Sequence, residues 1–179
     1  MTLSRLLRKA SPAGEGTIER IYGAVVAQAR RPAFYLRLAV PDTLDGRFDM
    51  IALHVFLVMR RFKTEGQEGR ALSQALTDRF FADLDRSLRE MGAGDLGVGR
   101  RVKAMAKAFY GRVVAYEAAL NAGDAALREA LARNLYGTVA APDETVAAMA
   151  SYVRDAAAAL AAQGFGAIAL GTIAFRPVD

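Results

Sequence analysis

Along most of the chain, apolar residues return every three or four positions, the period of a helix with one buried face. From Thr17 to Arg30 they are Ile18, Ile21, Tyr22, Val25 and Val26, and Arg31-Pro32 ends the segment, since a residue before proline disfavours helical geometry. A short piece over Ala33–Leu38 and a turn at Pro41-Asp42 follow, with Asp42 the predicted N-cap of the next helix and Gly46 delaying its regular start to Arg47. Ala71–Met91 puts Leu72, Leu76, Phe80, Phe81, Leu84 and Leu88 on one face, and Asp78, Asp85, Arg86 and Arg89 on the other. Val98–Asn121 carries Val102, Met105, Phe109, Val113, Tyr116 and Leu120 inward. Its second stripe, Ala104, Ala108, Gly111 and Ala115, predicts a helix packed on two sides. Asp124 is predicted to cap a shorter helix to Tyr136, and Pro142-Asp143-Glu144 opens a last one ending near Gln163-Gly164. The Gly-interrupted stretch Phe165–Phe175 reads as an extended strap over the helices, because one short strand cannot stand alone.

One segment breaks the amphipathic pattern. In Arg47–Thr64, Phe48, Met50, Ile51, Leu53, Val55, Phe56, Leu57, Val58 and Met59 leave no polar face before Arg60 and Arg61, and Gly66 and Gly69 close the helix. Such a helix either sits in the middle of a bundle or keeps one side for a partner. The predicted fold is therefore all-α: a single-domain irregular bundle of about six helices with an extended C-terminal tail. It is expected to occupy residues 15–179, behind a flexible basic segment over residues 1–14.

A chain of 179 residues, 53% hydrophobic, suffices for one complete core. It has no cysteine, which removes disulfides, thiolate metal sites and cysteine nucleophiles, and its one histidine, His54, removes a multi-histidine site. A mean hydropathy of +0.14 is high, but the excess comes largely from alanine, a helix former. Met50–Met59, the longest strongly apolar run, falls short of the roughly 20 residues a membrane span needs. No secretory signal is expected in Met1–Gly14. With Arg5, Arg8 and Lys9 beside Leu3, Leu6 and Leu7, that segment suits a short membrane-touching helix, a transit-like remnant or a frayed terminus. The net charge of +5 permits contact with an anionic membrane or a nucleic acid without identifying either.

Gly92-Ala93-Gly94-Asp95-Leu96-Gly97 matches a dinucleotide-binding pattern in letters, but its mechanism needs a preceding strand, and here a helix precedes it. The glycines instead suit a turn between two long helices. Arg100, Arg101, Lys103 and Lys107 stand against the helix dipole, which fits either a solvated face or an external anionic partner. His54 among apolar neighbours reads as a core histidine with a hydrogen-bond partner. Asp83 and Asp85 diverge on a helix, with Arg86 and Arg89 at ion-pairing steps, which favours a salt-bridged face over paired catalytic carboxylates. Aromatic residues cluster between Phe34 and Tyr110, and Met50, Met59, Met91 and Met105 suit either core filling or an adaptable surface.

The same region carries a family pattern: Phe34-Tyr35, Val40-Pro41-Asp42-Thr43, Gly46-Arg47-Phe48, Leu53-His54, Phe80-Phe81-Ala82-Asp83-Leu84-Asp85, Leu88-Arg89-Glu90-Met91-Gly92, Gly94-Asp95-Leu96 and Ala108-Phe109-Tyr110-Gly111-Arg112. In this order and spacing the chain, over about residues 34–120, resembles the ubiquinol–cytochrome c chaperones, assembly factors for respiratory complex III. The resemblance implies a helical, non-enzymatic chaperone without cofactors that holds newly made cytochrome b. It implies a place peripheral to the bacterial inner membrane on the cytoplasmic side, or to the mitochondrial inner membrane and matrix in a eukaryote. It also implies possible partners in the ribosome or a small partner subunit, and no specific DNA. The residues expected to meet the client are Phe34, Tyr35, Arg47, Phe48, Ile51, Phe56 and Met59, with charged contacts from Arg89, Arg100, Lys103 and Arg112. The alternative is a helical adaptor that uses its basic face on ribosome, RNA or anionic membrane, with no client groove.

Overall fold

The chain is organised around one helix, α3 (Leu44–Phe62), the segment without a polar face. The structure, a computed structural model, describes residues 15–92 and 94–178, so the expectations for Met1–Gly14 lie outside the described residues. Around α3 pack α1 (Glu15–Ala29), α4 (Gly66–Glu90), α5 (Asp95–Ala122) and α7 (Asp143–Ala162). α2 (Pro32–Leu36), α6 (Asp124–Asn134) and α8 (Phe165–Ala169) complete the described helices. Six of these eight have eleven residues or more, so the predicted all-α bundle of about six helices stands, with two five-residue helices added. Met50, Leu53, Val55 and Val58 of α3 are wholly buried, which places this helix in the middle of the bundle.

The start of α3 differs from expectation. Its N-cap is Thr43, whose hydroxyl accepts from the Gly46 amide at 3.1 Å, so the helix is regular from Leu44. Asp42 is spent on an ion pair with Arg47 at 2.7 Å. Gly46 does not delay the helix; it lets the Pro41 carbonyl lie against the first turn, where a Cβ would have no room.

α4 runs back along α3, with Phe80 stacked on Phe48 at 5.6 Å, and Gly66 and Gly69 lie in its first turn rather than closing α3. Gly92, at φ +82°, turns the chain into α5, which returns along α4 so that Phe109 meets Phe80 and Phe81 at 5.3 and 5.6 Å. The glycine-rich stretch is thus a connection between helices, and Gly97 and Gly99 belong to α5 itself. The small-residue stripe of α5 is less covered than predicted: Ala104 and Gly111 are exposed, and Ala108 and Ala115 half-buried. Asp124 does not cap α6; it lies in the first turn and pairs with Arg128 at 2.6 Å and with Arg154.

The C-terminal tail adds the helical turns of α8 before becoming a strap over residues 172–178 that forms no strand. Arg20 holds the Leu170 carbonyl at 2.7 Å, and the Gln163 amide holds both polar groups of Ala174 at 2.7 and 2.9 Å. Beneath the strap, His54 is fully buried. Its Nδ1–H donates to the Met50 carbonyl at 2.8 Å, since that oxygen can only accept, so Nε2 accepts from the Tyr152 hydroxyl at 2.7 Å. Gln28 then donates to the Tyr152 oxygen and to the Arg176 carbonyl, each at 2.9 Å. Burial lowers the His54 pKa to about 4, against the opposing effect of the Met50 hydrogen bond, so the ring is neutral as this network requires. His54 is a core histidine. Tyr152→Phe should cost about 1–3 kcal/mol in denaturant unfolding, because the buried Nε2 and one Gln28 N–H lose their partner; an unchanged unfolding midpoint would show the network to be dispensable.

Candidate functional site

A groove of about 610 Å³ opens where the C-terminal half of α3 meets the start of α4 and the middle of α5. Phe56, only 2% exposed and 5.7 Å from the Tyr116 ring, forms its floor, and half-buried Met59 lies beside it. α4 contributes Arg70, Ser73, Gln74 and Thr77, whose hydroxyl is 3.6 Å from the Met59 sulfur. α5 contributes Tyr110, Val113 and Glu117. Tyr110 is 51% exposed, and Val114, one turn further on, is 70% exposed. At one end, Glu117 receives Arg60 at 2.6 Å and Lys63 at 2.9 Å, while Arg60 also donates to Asn121. Burial pushes the Glu117 carboxyl up, but the bonds from Lys63 and Arg60 outweigh it and hold it below its usual range.

The predicted site residues do not converge on this groove. Phe56 and Met59 belong to it, whereas Phe34, Phe48 and Ile51 are core residues at 0%, 7% and 9% exposure. A surface partner cannot reach those three without opening the core, and it meets no more than the edge of Phe56, which is itself a core ring; of the predicted apolar contacts only Met59 is open to the groove. Tyr35, in α2, is half-buried with its hydroxyl donating to the Ala29 carbonyl at 2.9 Å, and Arg47 pairs with Asp42 on that side. Arg89 pairs with Asp85 at 2.6 Å and Arg86 with Asp83 at 3.8 Å, the salt-bridged face expected from their spacing. Arg100 and Lys103 are exposed along the first turns of α5. Arg112 is drawn inward, with Nη2 at 2.9 Å from Asp49 and Nε donating to the Asn134 carbonyl at 3.3 Å.

Residues 36–175 match the family model described as ubiquinol-cytochrome C chaperone. The chain belongs to that family. The chaperone also superposes on the crystal structure of the Cbp3 homolog from Brucella abortus, with a TM-score of 0.83 and 41% identity over 98% of this chain and 97% of that one. Among curated relatives, ubiquinol-cytochrome-c reductase complex assembly factor 1 of Xenopus laevis is 24% identical over 89% of this chain and 80% of its own length. The mouse protein of that name is likewise 24% identical, but the match spans only 54% of its length.

Sequence reasoning missed the α5 wall of the groove. Part of the signal was present: Tyr110 falls off the inward stripe of Phe109 and Tyr116, and its ring, which touches Phe81 at 6.3 Å and Phe109 at 5.3 Å, is only half covered. Also missed was the buried charge beneath Arg112. Burial raises the Asp49 carboxyl to about 6 despite Arg112, whose 2.9 Å approach is an ion pair without an aligned hydrogen bond to Oδ1. A carboxyl that binds its proton more readily folded than unfolded contributes most below pH about 4, and the contribution is lost as pH rises through 6. Asp49→Asn should therefore lose about 1 kcal/mol relative to the parent when pH falls from 7 to 5. Denaturant unfolding at both pH values checks this; a constant difference between the two proteins would place the shift elsewhere.

Proposed function

We propose that this chaperone acts in assembly of respiratory complex III by holding an apolar segment of newly made cytochrome b in the groove between α3, α4 and α5. The observation that carries the reading is Tyr110, half exposed on the wall of a groove floored by Phe56 and Met59, with the exposed Val114 one turn further along α5. Apolar side chains left at a groove edge, together with an adaptable thioether, suit a client whose membrane segments lose most by facing water. The family name and the names of the assembly-factor relatives support the client's complex, and the choice of cytochrome b within it is our reading. No described helix is long and apolar enough to cross a membrane. From the family we place the protein peripherally at the membrane of the respiratory chain, on the cytoplasmic side in a bacterium or the matrix side in a mitochondrion. No reaction is assigned to it.

The basic start of α5 supports a second, electrostatic contact. Arg100, Arg101, Lys103 and Lys107 are all exposed, and none forms an ion pair among the described residues. Reversing Arg100, Lys103 and Lys107 should leave the melting temperature within a few degrees, since exposed charges contribute about 0–1 kcal/mol each. It should weaken a salt-sensitive association with ribosomes or another anionic partner in co-sedimentation. A collapse of the melting temperature would show that these cations serve the fold.

The groove is tested by two variants in parallel. Tyr110→Asp with Val114→Asp should abolish co-purification of cytochrome b from cells that make it, with little change in unfolding. Phe56→Ala should cost about 3–5 kcal/mol of stability whatever it does to capture, because that ring is core. Undiminished capture by the double variant would sink the groove as the client site.

A further inference from the structure

Leu36, at the end of α2, is 82% exposed, and its mounting is rigid. Phe34, two residues earlier, is fully buried against the rings of Tyr152 at 4.9 Å and His54 at 5.5 Å. Leu38 and Val40 are buried on the other side; the Tyr136 hydroxyl grips the Leu38 carbonyl at 2.7 Å, and the Val40 amide reaches back to the Phe34 carbonyl at 3.1 Å. Between them Ala39 sits at φ +50°, a conformation an alanine takes only at a cost. Leu36 is thus held outward by anchors that cannot follow it.

The surroundings are cationic. Pro32, Arg30, Arg31 and Arg37 are exposed, and a shallow depression of about 460 Å³ joins Arg30, Pro32, Tyr35, Leu36, Asp42 and Arg47. Asp42 is taken up by Arg47, and Arg30, Arg31 and Arg37 form no ion pair among the described residues. Half-exposed Leu44 lies just beyond. Protruding apolar residues ringed by unpaired cations complement an anionic bilayer: the leucine enters the acyl boundary, and the guanidinium groups stay at headgroup level on phosphate. A fluid lipid surface closes round a protruding side chain, whereas a folded acidic protein would need a matching socket.

From this we infer that the α2 tip, with Leu36 as the inserted residue and Arg30, Arg31 and Arg37 as the headgroup contacts, docks this protein onto an anionic lipid surface. The inference deepens the peripheral placement proposed above and does not involve the client groove. At about 1.5 Å per residue, the 19 residues of α3 separate the tip from the far end of the groove by nearly 30 Å.

The test is sedimentation of the full chain with vesicles that contain no client. Binding to vesicles of phosphatidylcholine mixed with phosphatidylglycerol should exceed binding to phosphatidylcholine alone and weaken with salt. Leu36→Asp combined with Arg37→Glu should reduce it about tenfold or more, with the melting curve unchanged. Leu36→Ser alone should reduce binding while keeping its salt dependence, and Arg31→Gln with Arg37→Gln should flatten that dependence. The inference is overturned if the parent ignores anionic vesicles, or if the variants bind them as the parent does, which would assign binding to another part of the chain. It is equally overturned if the tip variants lose binding only to polyglutamate, which would indicate an acidic protein partner. Because no client is present, none of these failures bears on the groove.

Discussion

A helix that is apolar nearly all round has no side to show to water, so other elements must cover it along its whole circumference. α3 imposes that requirement, and α1, α4, α5 and α7 meet it from their own narrower apolar faces. The arrangement also explains where covering stops. Near Met59 the neighbouring helices leave a groove bounded by Arg60, Lys63 and Glu117, polar groups that tolerate water where Phe48 and Leu53 would not. The candidate site is the place where the shell around one helix is incomplete.

Most of the architecture was legible because helical periodicity depends only on which residues must be inside. The inward stripes of α4 and α5 are as their spacing implied. The errors arose where two local signals competed. Asp42 and Thr43 are both good caps; Arg47 removes Asp42 from the competition by pairing with it, and no one-dimensional pattern records that preference. Gly46 looked like a helix breaker because the close approach of Pro41 is invisible in the sequence. The small stripe of α5 predicted a second neighbour, and that side is largely open.

The site was less legible than the fold. Phe34, Phe48, Phe56 and Tyr110 are equally aromatic on paper, yet the first three are buried and the last is half in water. Burial is a property of neighbours that are distant in sequence, so composition alone could not rank them. Arg112 illustrates the same point for charge: its partners, Asp49 and Asn134, are brought to it by the parallel run of α5 beside α3 and by the return of α6.

The strap also bears on how the protein itself comes into being. Gln28 and the Arg176 carbonyl are 148 residues apart, and Phe175 covers the same histidine that Met50 holds from within its own helix, at a ring distance of 5.4 Å. During synthesis from the N-terminus, α1 and α3 are made long before the segment that seals them. Until residues 172–178 emerge, the His54–Tyr152 layer lacks its lid, because both of its coverings, the Arg176 carbonyl and the Phe175 ring, come from that segment. A protein of a chaperone family thus passes through an interval in which its own central helix is unsheltered.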